Sequence, residues 1–219
     1  MIIAGIDEAG RGPCFGPMTI TIAFTKKEKE TELKEMGVKD SKMLLPNKRK
    51  SLIDGIKNIL IEEKTVIIEP IEINDMMVQH SLNEIEAIKI AQLINKANTT
   101  PEILYVDSPD AVKGAFEKRI RKYLDTSRQK IKIIAENKAD VNYVIVGAAS
   151  IIAKVTRDEE IEQLAKKYGD FGSGYPSDPK TKKYLAEYVE KNKKLPPFSR
   201  IFWKTCTEAL NKIGQQKLT

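Results

Sequence analysis

The sequence predicts a mixed α/β fold: a sheet with helices on both faces, followed by a helical C-terminal extension. Two short strand-like segments, 2–7 and 18–24, open the chain on either side of a Gly-Arg-Gly-Pro segment, a pattern typical of an antiparallel pair. Helical and strand-like segments then alternate, as they do in sheets with helical connections. Because no segment resembles a linker, we expect residues 1–219 to form a single domain, of which about 178–219 is the helical C-terminal part.

The remaining elements follow from periodicity, capping residues and breakers. Ser81, with Glu84 three positions later, forms a capping box at the start of an amphipathic helix. The first half of the segment 141–168 is too apolar for a surface helix, so it should pack centrally. Further strands are expected at 64–71, 103–107 and 130–135, and helices at 26–35, 46–62, 81–96, 111–123, 141–168, 178–191 and 198–213.

Composition indicates which classes of protein this chain can and cannot belong to. A formal charge of +6 and a pI near 9.1 fit a polyanionic partner, although they also fit a merely lysine-rich protein. No apolar run reaches the length of about 20 residues that a membrane span needs, and Asp7 and Glu8 interrupt the N-terminal apolar run too early for a signal peptide. Two cysteines form no disulfide framework, so we expect a cytoplasmic protein. The lone histidine leaves carboxylates as the expected catalytic groups.

Several predicted strands end in carboxylates or lead into one. Asp7 and Glu8 follow the first strand, Asp107 ends the segment ILYVD, and Asp140 lies at the entrance to the long apolar helix. Strand ends that gather at one edge of an α/β sheet commonly form its site. Clustered carboxylates repel unless cations neutralise them, and oxygen ligands suit Mg²⁺ or Mn²⁺. Two such ions can hold an attacking water and a leaving oxygen on a phosphodiester.

Ordinary structural roles could also explain these acidic residues. Asp107 alone would ordinarily start a loop, and Asp140 alone would ordinarily cap a helix. Asp110 competes with Asp107 for the same role. Neighbouring side chains of a regular strand also point to opposite faces. We therefore expect the turn to twist Glu8 towards the ion, or the backbone carbonyl of Glu8 to help.

Several motifs in the same order carry a family resemblance. They are GIDEAGRGP at the N-terminus, DSK at 40–42, VD at 106–107, KAD at 138–140 and GAASIIAKVTRD at 147–158. Together they resemble the type 2 ribonuclease H family, ribonuclease HII, over nearly the whole chain. GSGYPSDP at 172–179 and WKT at 203–205 are similar to its archaeal branch.

The resemblance implies a ribonuclease H-like fold and a catalytic domain. It implies hydrolysis, dependent on two Mg²⁺ or Mn²⁺ ions, of the RNA strand of RNA/DNA hybrids. It also implies incision on the 5′ side of single ribonucleotides in duplex DNA, with 5′-phosphate and 3′-OH ends. The substrates are then the expected partners of a monomer that contacts no membrane. Recruitment by a sliding clamp stays open, because the tail contains Gln215 and Leu218 but no following aromatic pair.

The resemblance also implies residue roles. The family's four acidic residues, which are both catalytic groups and metal ligands, match Asp7, Glu8, Asp107 and Asp140. The family's ribose-reading glycine-arginine-glycine turn matches Gly10, Arg11 and Gly12. Its tyrosine at the RNA–DNA junction matches Tyr175, and a lysine of its phosphate-contacting loop matches Lys42.

Other interpretations remain open at this point. The chain could be a catalytically silent protein that binds hybrid duplexes, or a member of the sister type 3 family, although it lacks that family's extra N-terminal domain and turn lysine. Lys154 and Arg157 could contact substrate phosphates or pair with the acids at 158–160. The lysines at 191, 193 and 194 could bind the duplex backbone or only confer solubility. His80 is given no role.

Overall fold

The structure is a computed structural model that describes residues 1–38 and 44–216, with side chains described up to residue 211. Lys42 therefore lies outside the described residues. The strands are β1 (Ile2–Ala9), β2 (Met18–Lys26), β3 (Glu62–Ile68), β4 (Ile103–Asp107) and β5 (Lys132–Glu136). The helices are α1 (Glu30–Glu35), α2 (Pro46–Ile59), α3 (Pro70–Met77), α4 (Leu82–Lys96), α5 (Ala115–Arg121), α6 (Ala139–Asn142), α7 (Val144–Tyr168), α8 (Pro179–Asn192) and α9 (Lys204–Gln216).

The strands form one mixed sheet in the order β3-β2-β1-β4-β5. β1 pairs antiparallel with β2, with Asp7 opposite Thr21. β1 and β4 run parallel with Ile6 beside Val106, and β4 and β5 are also parallel. The predicted mixed sheet and the antiparallel opening pair are confirmed. Parallel pairing matters for the site because it brings the carboxyl ends of β1 and β4 to the same edge.

The described residues group into two compact units that interleave along the chain. The first contains Met1–Ala9, Thr19–Val66 and Ser81–Thr156. In its core, the first half of α7 is buried together with residues of β1, β4 and α2, as the apolar run predicts. A Cβ added to Gly5 would lie 2.5 Å from the backbone nitrogen of Val146, so β1 and α7 approach each other more closely than any side chain allows.

The second unit contains Gly10–Met18, Ile67–His80 and Arg157–Thr219. Its core is aromatic: Phe15 makes edge contacts with Phe171 and Phe198, at ring-centroid distances of 5.8 and 5.2 Å. Residues of α8 and the buried Cys14 and Cys206 complete this cluster. Within the described residues, no helix is both long and apolar enough to cross a bilayer.

Element boundaries differ from the expectations at Pro70, at Tyr143 and at the start of the last helix. Pro70 begins α3 instead of lying near the end of a strand, because its fixed φ suits the first helical position. The expected helix at 141 is two helices, α6 and α7, separated by the extended backbone of Tyr143. The Tyr143 ring stacks on Tyr105 with 3.9 Å between centroids. The last helix begins at Lys204, six residues later than expected.

Candidate active site

Adjacent strand ends bring three carboxylates together. Asp7 and Glu8 lie near the end of β1, and Asp107 is the last residue of β4, one position after the pair Ile6–Val106. One carboxylate oxygen from each of the three lies within 4.8 Å of the others. The structure therefore brings together three of the four acids named from the sequence, and parallel pairing supplies the physical reason.

Glu8 reaches this group from a regular strand. Pairing between β1 and β2 continues through Glu8, opposite Ile20, to Ala9, opposite Thr19, so the expected twist at Glu8 is absent. The Asp7 carboxylate instead accepts a hydrogen bond from the backbone N–H of Glu8 at 2.8 Å. Asp7 thus turns towards its neighbour, and the longer Glu8 side chain can approach it.

The environment of Asp7 disfavours its negative charge. Asp7 is only 5% exposed, and its pKa is raised, first by burial and then by the charge of Glu8 and, more weakly, of Asp107. A hydrogen bond with Ser150 and the charge of Lys154 act in the opposite direction and lower the pKa. Since cations relieve the repulsion between carboxylates, this oxygen-only donor set fits a hard divalent ion.

Asp140 lies in the first turn of α6 and is 2% exposed. The backbone N–H of Ala139, immediately before it, donates to Asp107 Oδ1 at 2.8 Å. Among the described residues, the group with mutually close oxygens contains Asp7, Glu8 and Asp107 and does not include Asp140. Its role as a ligand stays a prediction.

Asp110 has a structural role that separates it from Asp107. One of its carboxylate oxygens accepts a hydrogen bond from Arg119 Nε at 3.0 Å, and the other accepts from the amide of Asn83. Arg119 also donates to Glu84 at 2.6 Å. Asp110 therefore links α4 to α5 through a hydrogen bond from Asn83 and an ion pair with Arg119, whereas Asp107 lies with Asp7 and Glu8.

Sequence reasoning missed the partnership of Ser150 and Lys154. Both lie on α7 four residues apart, a spacing that places side chains on one helix face, and Lys154 Nζ donates to Ser150 Oγ. Ser150 in turn hydrogen-bonds Asp7. The i,i+4 spacing was a usable signal, but only the fold shows that this helix face meets the acids. Lys154 therefore lies near the acid group.

The glycine turn and Tyr175 meet in the second unit. Gly10 has a φ of +83°, and a Cβ there would lie 2.8 Å from the carbonyl oxygen of Pro17. A Cβ on Gly12 would lie 3.4 Å from the Tyr175 ring. The guanidinium of Arg157 lies 5.3 Å from the centroid of the same ring, and Arg157 Nη2 donates to the carbonyl of Ser173 at 2.8 Å. These contacts hold the Tyr175 side chain in place, although 39% of it is exposed.

The structure also shows the surroundings of Arg157, of three lysines near the end of α8 and of His80. Arg157 Nη1 lies 3.8 Å from Asp158, which agrees with the pairing interpretation. The lysines at 191, 193 and 194 are exposed at the end of α8. His80 lies in the bend after α3.

The chain is similar over nearly its whole length to proteins of one family. The family model described as "Ribonuclease HII" matches residues 4–206. A ribonuclease HII of Pyrococcus furiosus is 46% identical over 217 residues, which cover 99% of this chain and 95% of the relative. The crystal structure of ribonuclease H2 from Pyrococcus horikoshii OT3 has a TM-score of 0.91 and 43% identity, covering 98% of this chain and all of that one. Ribonuclease HII in a complex with PCNA from Archaeoglobus fulgidus has a TM-score of 0.84 and 38% identity, with 93% and 96% of the two chains covered.

These similarities confirm the ribonuclease H-like fold. The type 3 enzyme Bst-RNase HIII also covers 98% of this chain with a TM-score of 0.79, but it is only 21% identical and so shares the fold alone, whereas the type 2 enzymes above are 38–46% identical. The chain therefore belongs to the ribonuclease HII family and is an endoribonuclease that acts on RNA/DNA hybrids.

Proposed function

We propose that this enzyme also incises duplex DNA on the 5′ side of single embedded ribonucleotides, by two-metal-ion catalysis that leaves 5′-phosphate and 3′-OH ends. The observation that carries the proposal is the meeting of Asp7, Glu8 and Asp107, whose oxygens lie within 4.8 Å of one another. An all-carboxylate group of this kind needs no histidine to act on a phosphodiester.

The four acids would hold the ions. Asp7, Glu8 and Asp107 offer oxygens from the two strand ends, and we propose that Asp140, buried in the first turn of α6, completes the set. Two Mg²⁺ or Mn²⁺ ions would supply charge neutralisation and a more acidic water. In the reaction, the water oxygen bonds to phosphorus and gives up a proton while the bond between phosphorus and the 3′ oxygen breaks. The released 3′ oxygen takes up a proton, which gives the 3′-OH.

Recognition of the sugar falls to the glycine turn. Telling RNA from DNA requires contact with the 2′-OH, and the absence of side chains at Gly10 and Gly12 lets the backbone approach it. Arg11 can bind a phosphate through its guanidinium. The partly exposed ring of Tyr175, packed beside Gly12, offers a flat surface against the neighbouring deoxyribose. Lys42 is proposed to contact a phosphate.

Biological context follows from this activity. Removal of ribonucleotides from DNA belongs to excision repair and replication in the cytoplasm, and we propose that the whole chain, including the helical part from about residue 178, acts as one catalytic domain. The A. fulgidus relative was solved as a complex with PCNA. A sliding clamp is therefore a candidate partner here, although residues 217–219 lie outside the described part of the chain.

The test compares three carboxylates in a cleavage assay. Asp7→Asn and Asp107→Asn should each lower cleavage of a duplex with one ribonucleotide by at least about 100-fold, the scale for losing a group that stabilises charge in the transition state. Asp110→Asn is the matched control, because it removes a carboxylate that serves α4 and α5. It should retain cleavage with Mg²⁺ or Mn²⁺. Folded Asp7→Asn protein with wild-type cleavage would refute the proposal.

A further inference from the structure

One short segment after α8 holds the carbonyl groups of the glycine turn. The guanidinium of Arg200 donates to the carbonyl of Arg11 at 3.1 Å and to that of Gly16 at 3.0 Å. The indole N–H of Trp203 donates to the carbonyl of Gly12 at 3.2 Å. All five residues belong to the second unit, so these contacts lie within one compact body.

Arg200 is a charged residue that is buried at an energetic cost. Its side chain is fully buried, its Nη2 has no hydrogen-bond partner among the described residues, and its pKa is lowered to about 10, first by burial and then by the charge of Arg157. Burying a charge without a carboxylate partner is costly. In the described structure, the side-chain donors of Arg200 satisfy only the carbonyls of Arg11, in the turn, and of Gly16, just after it.

Arg200 and Trp203 also support each other. The guanidinium carbon of Arg200 lies 4.9 Å from the centroid of the Trp203 ring, a cation–π distance. The backbone N–H of Trp203 donates to the carbonyl of Arg200 at 3.0 Å. The two donors that reach the turn are therefore parts of one packed pair.

Holding these carbonyls orients the rest of the turn. In a trans peptide, the N–H of a residue points opposite to the carbonyl of the residue before it. Arg200 binds the carbonyl of Arg11, so the N–H of Gly12 must point away from Arg200, and Gly12 is exposed. Pro13 has no N–H, and Trp203 occupies the carbonyl of the Gly12–Pro13 peptide.

We infer that Arg200 and Trp203 are positioning residues that fix the Arg11–Gly12 and Gly12–Pro13 peptide planes of the glycine turn and thereby set the enzyme's preference for ribose over deoxyribose. They act through the turn and do not contact the substrate. The inference rests on the proposed function of the turn.

The experiment measures sugar preference by binding. Affinities are determined by fluorescence anisotropy, with Ca²⁺ in place of Mg²⁺, for a duplex with one ribonucleotide and for the same duplex made only of DNA. Trp203→Phe keeps an aromatic ring under Arg200 but removes the N–H donor, so the affinity ratio should fall roughly threefold to tenfold, the effect of one lost hydrogen bond. Affinity for the all-DNA duplex should not change.

Arg200→Lys is the second variant, because an ammonium group cannot reproduce the forked donors of a guanidinium. It should lower the ratio at least as much as Trp203→Phe. The matched control is Tyr184→Phe, which removes a hydrogen bond to the carbonyl of Tyr168 at 2.9 Å in the same unit. It should lower the melting temperature and leave the ratio at the wild-type value.

The outcomes distinguish a failure of the positioning role from a failure of the proposed sugar recognition. A wild-type enzyme that prefers the ribonucleotide, with folded Trp203→Phe or Arg200→Lys retaining that preference in full, would overturn the inference alone. A wild-type enzyme without any preference would refute the proposed sugar recognition and the inference with it. Loss of preference in both variants, but not in Tyr184→Phe, would support the positioning role.

Discussion

At the scale of single residues, hydrogen-bond partners decide what a carboxylate does. Asp107 and Asp110 are three positions apart, yet Asp107 lies with Asp7 and Glu8 while Asp110 pairs with Arg119. Asp178 has a third role. It caps α8, and its carboxylate accepts hydrogen bonds from the N–H and the hydroxyl of Ser173, both at 2.7 Å, and from the N–H of Lys180. It therefore ties the loop that carries Tyr175 to the start of a helix.

Asp178 predicts a specific pH dependence of stability. The hydrogen bonds, with that from the N–H of Ser173 the largest, lower its pKa from an ordinary 3.8 to about 2. A lowered pKa in the folded state stabilises the protein above the ordinary value, and this stabilisation is lost as the pH falls towards 2. Asp178→Asn should therefore unfold at a lower temperature than wild type at neutral pH, and the gap should close as the pH falls through this window.

Thermal unfolding followed by circular dichroism across that pH window checks the prediction. The melting temperature of the wild type as a function of pH reports the titration of Asp178. The asparagine variant is the internal control, because it has no charge to lose at this position. A gap between the two proteins that stays constant down to pH 2 would contradict the assigned role of the carboxylate.

At the scale of elements, the close approach of β1 to α7 positions the acids. The backbone of Ile145 and Val146 occupies the space that a side chain at Gly5 would need. Asp7 follows two residues later on β1, and its partner Ser150 lies a little more than a turn further along α7. The contact at Gly5 thus sets the distance between the strand and the helix face that carries Ser150 and Lys154.

Gly5→Ala should lower the free energy of unfolding by roughly 1–3 kcal/mol, the usual cost of overpacking a well-filled core. Gly55→Ala is the matched control in α2. A Cβ there meets only the flexible end of Met36, and alanine favours a helix by about 1 kcal/mol over glycine. Urea unfolding of both variants gives the comparison, and equal stability of Gly5→Ala and wild type would show that the backbones can separate without cost.

At the scale of the whole molecule, the net charge of +6 suits a polyanionic substrate. The sequence left open whether the exposed lysines at 191, 193 and 194 bind the duplex backbone or only confer solubility, and their position at the end of α8 fits either role. Salt dependence distinguishes them, because each neutralised phosphate releases bound counterions.

The binding constant for a hybrid duplex should fall as salt rises, with a log–log slope of about −0.9 for each phosphate engaged. Replacing the three lysines by glutamine should make the slope shallower if they contact the backbone. Titrations at several salt concentrations test both points. A flat response of the wild type would refute binding through the backbone, and an unchanged slope in the triple variant would assign the lysines to solubility.

Local patterns in the sequence are enough to identify the family, the mixed α/β class and the acids at the strand ends. Motifs such as GIDEAGRGP and KAD lie in contiguous stretches, and the periodicity that predicts a strand or helix is local to each segment. Asp7, Glu8 and Asp107 could therefore be named without coordinates. Boundaries at Pro70 and Tyr143 were missed, because a proline suits both a strand end and a helix start, and a ring stack is invisible in one dimension.

Tertiary structure alone decided which side chains meet. It separated Asp107 from Asp110 and brought Ser150 and Lys154 to the acids. It also placed Arg200 and Trp203 against carbonyl groups that lie far earlier in the chain, by 189 and 191 positions. These contacts depend on packing between distant segments, which leaves no local pattern in the sequence. For that reason the candidate metal-binding carboxylates can be named from the sequence, whereas the groups that hold the glycine turn in place are found only in the folded chain.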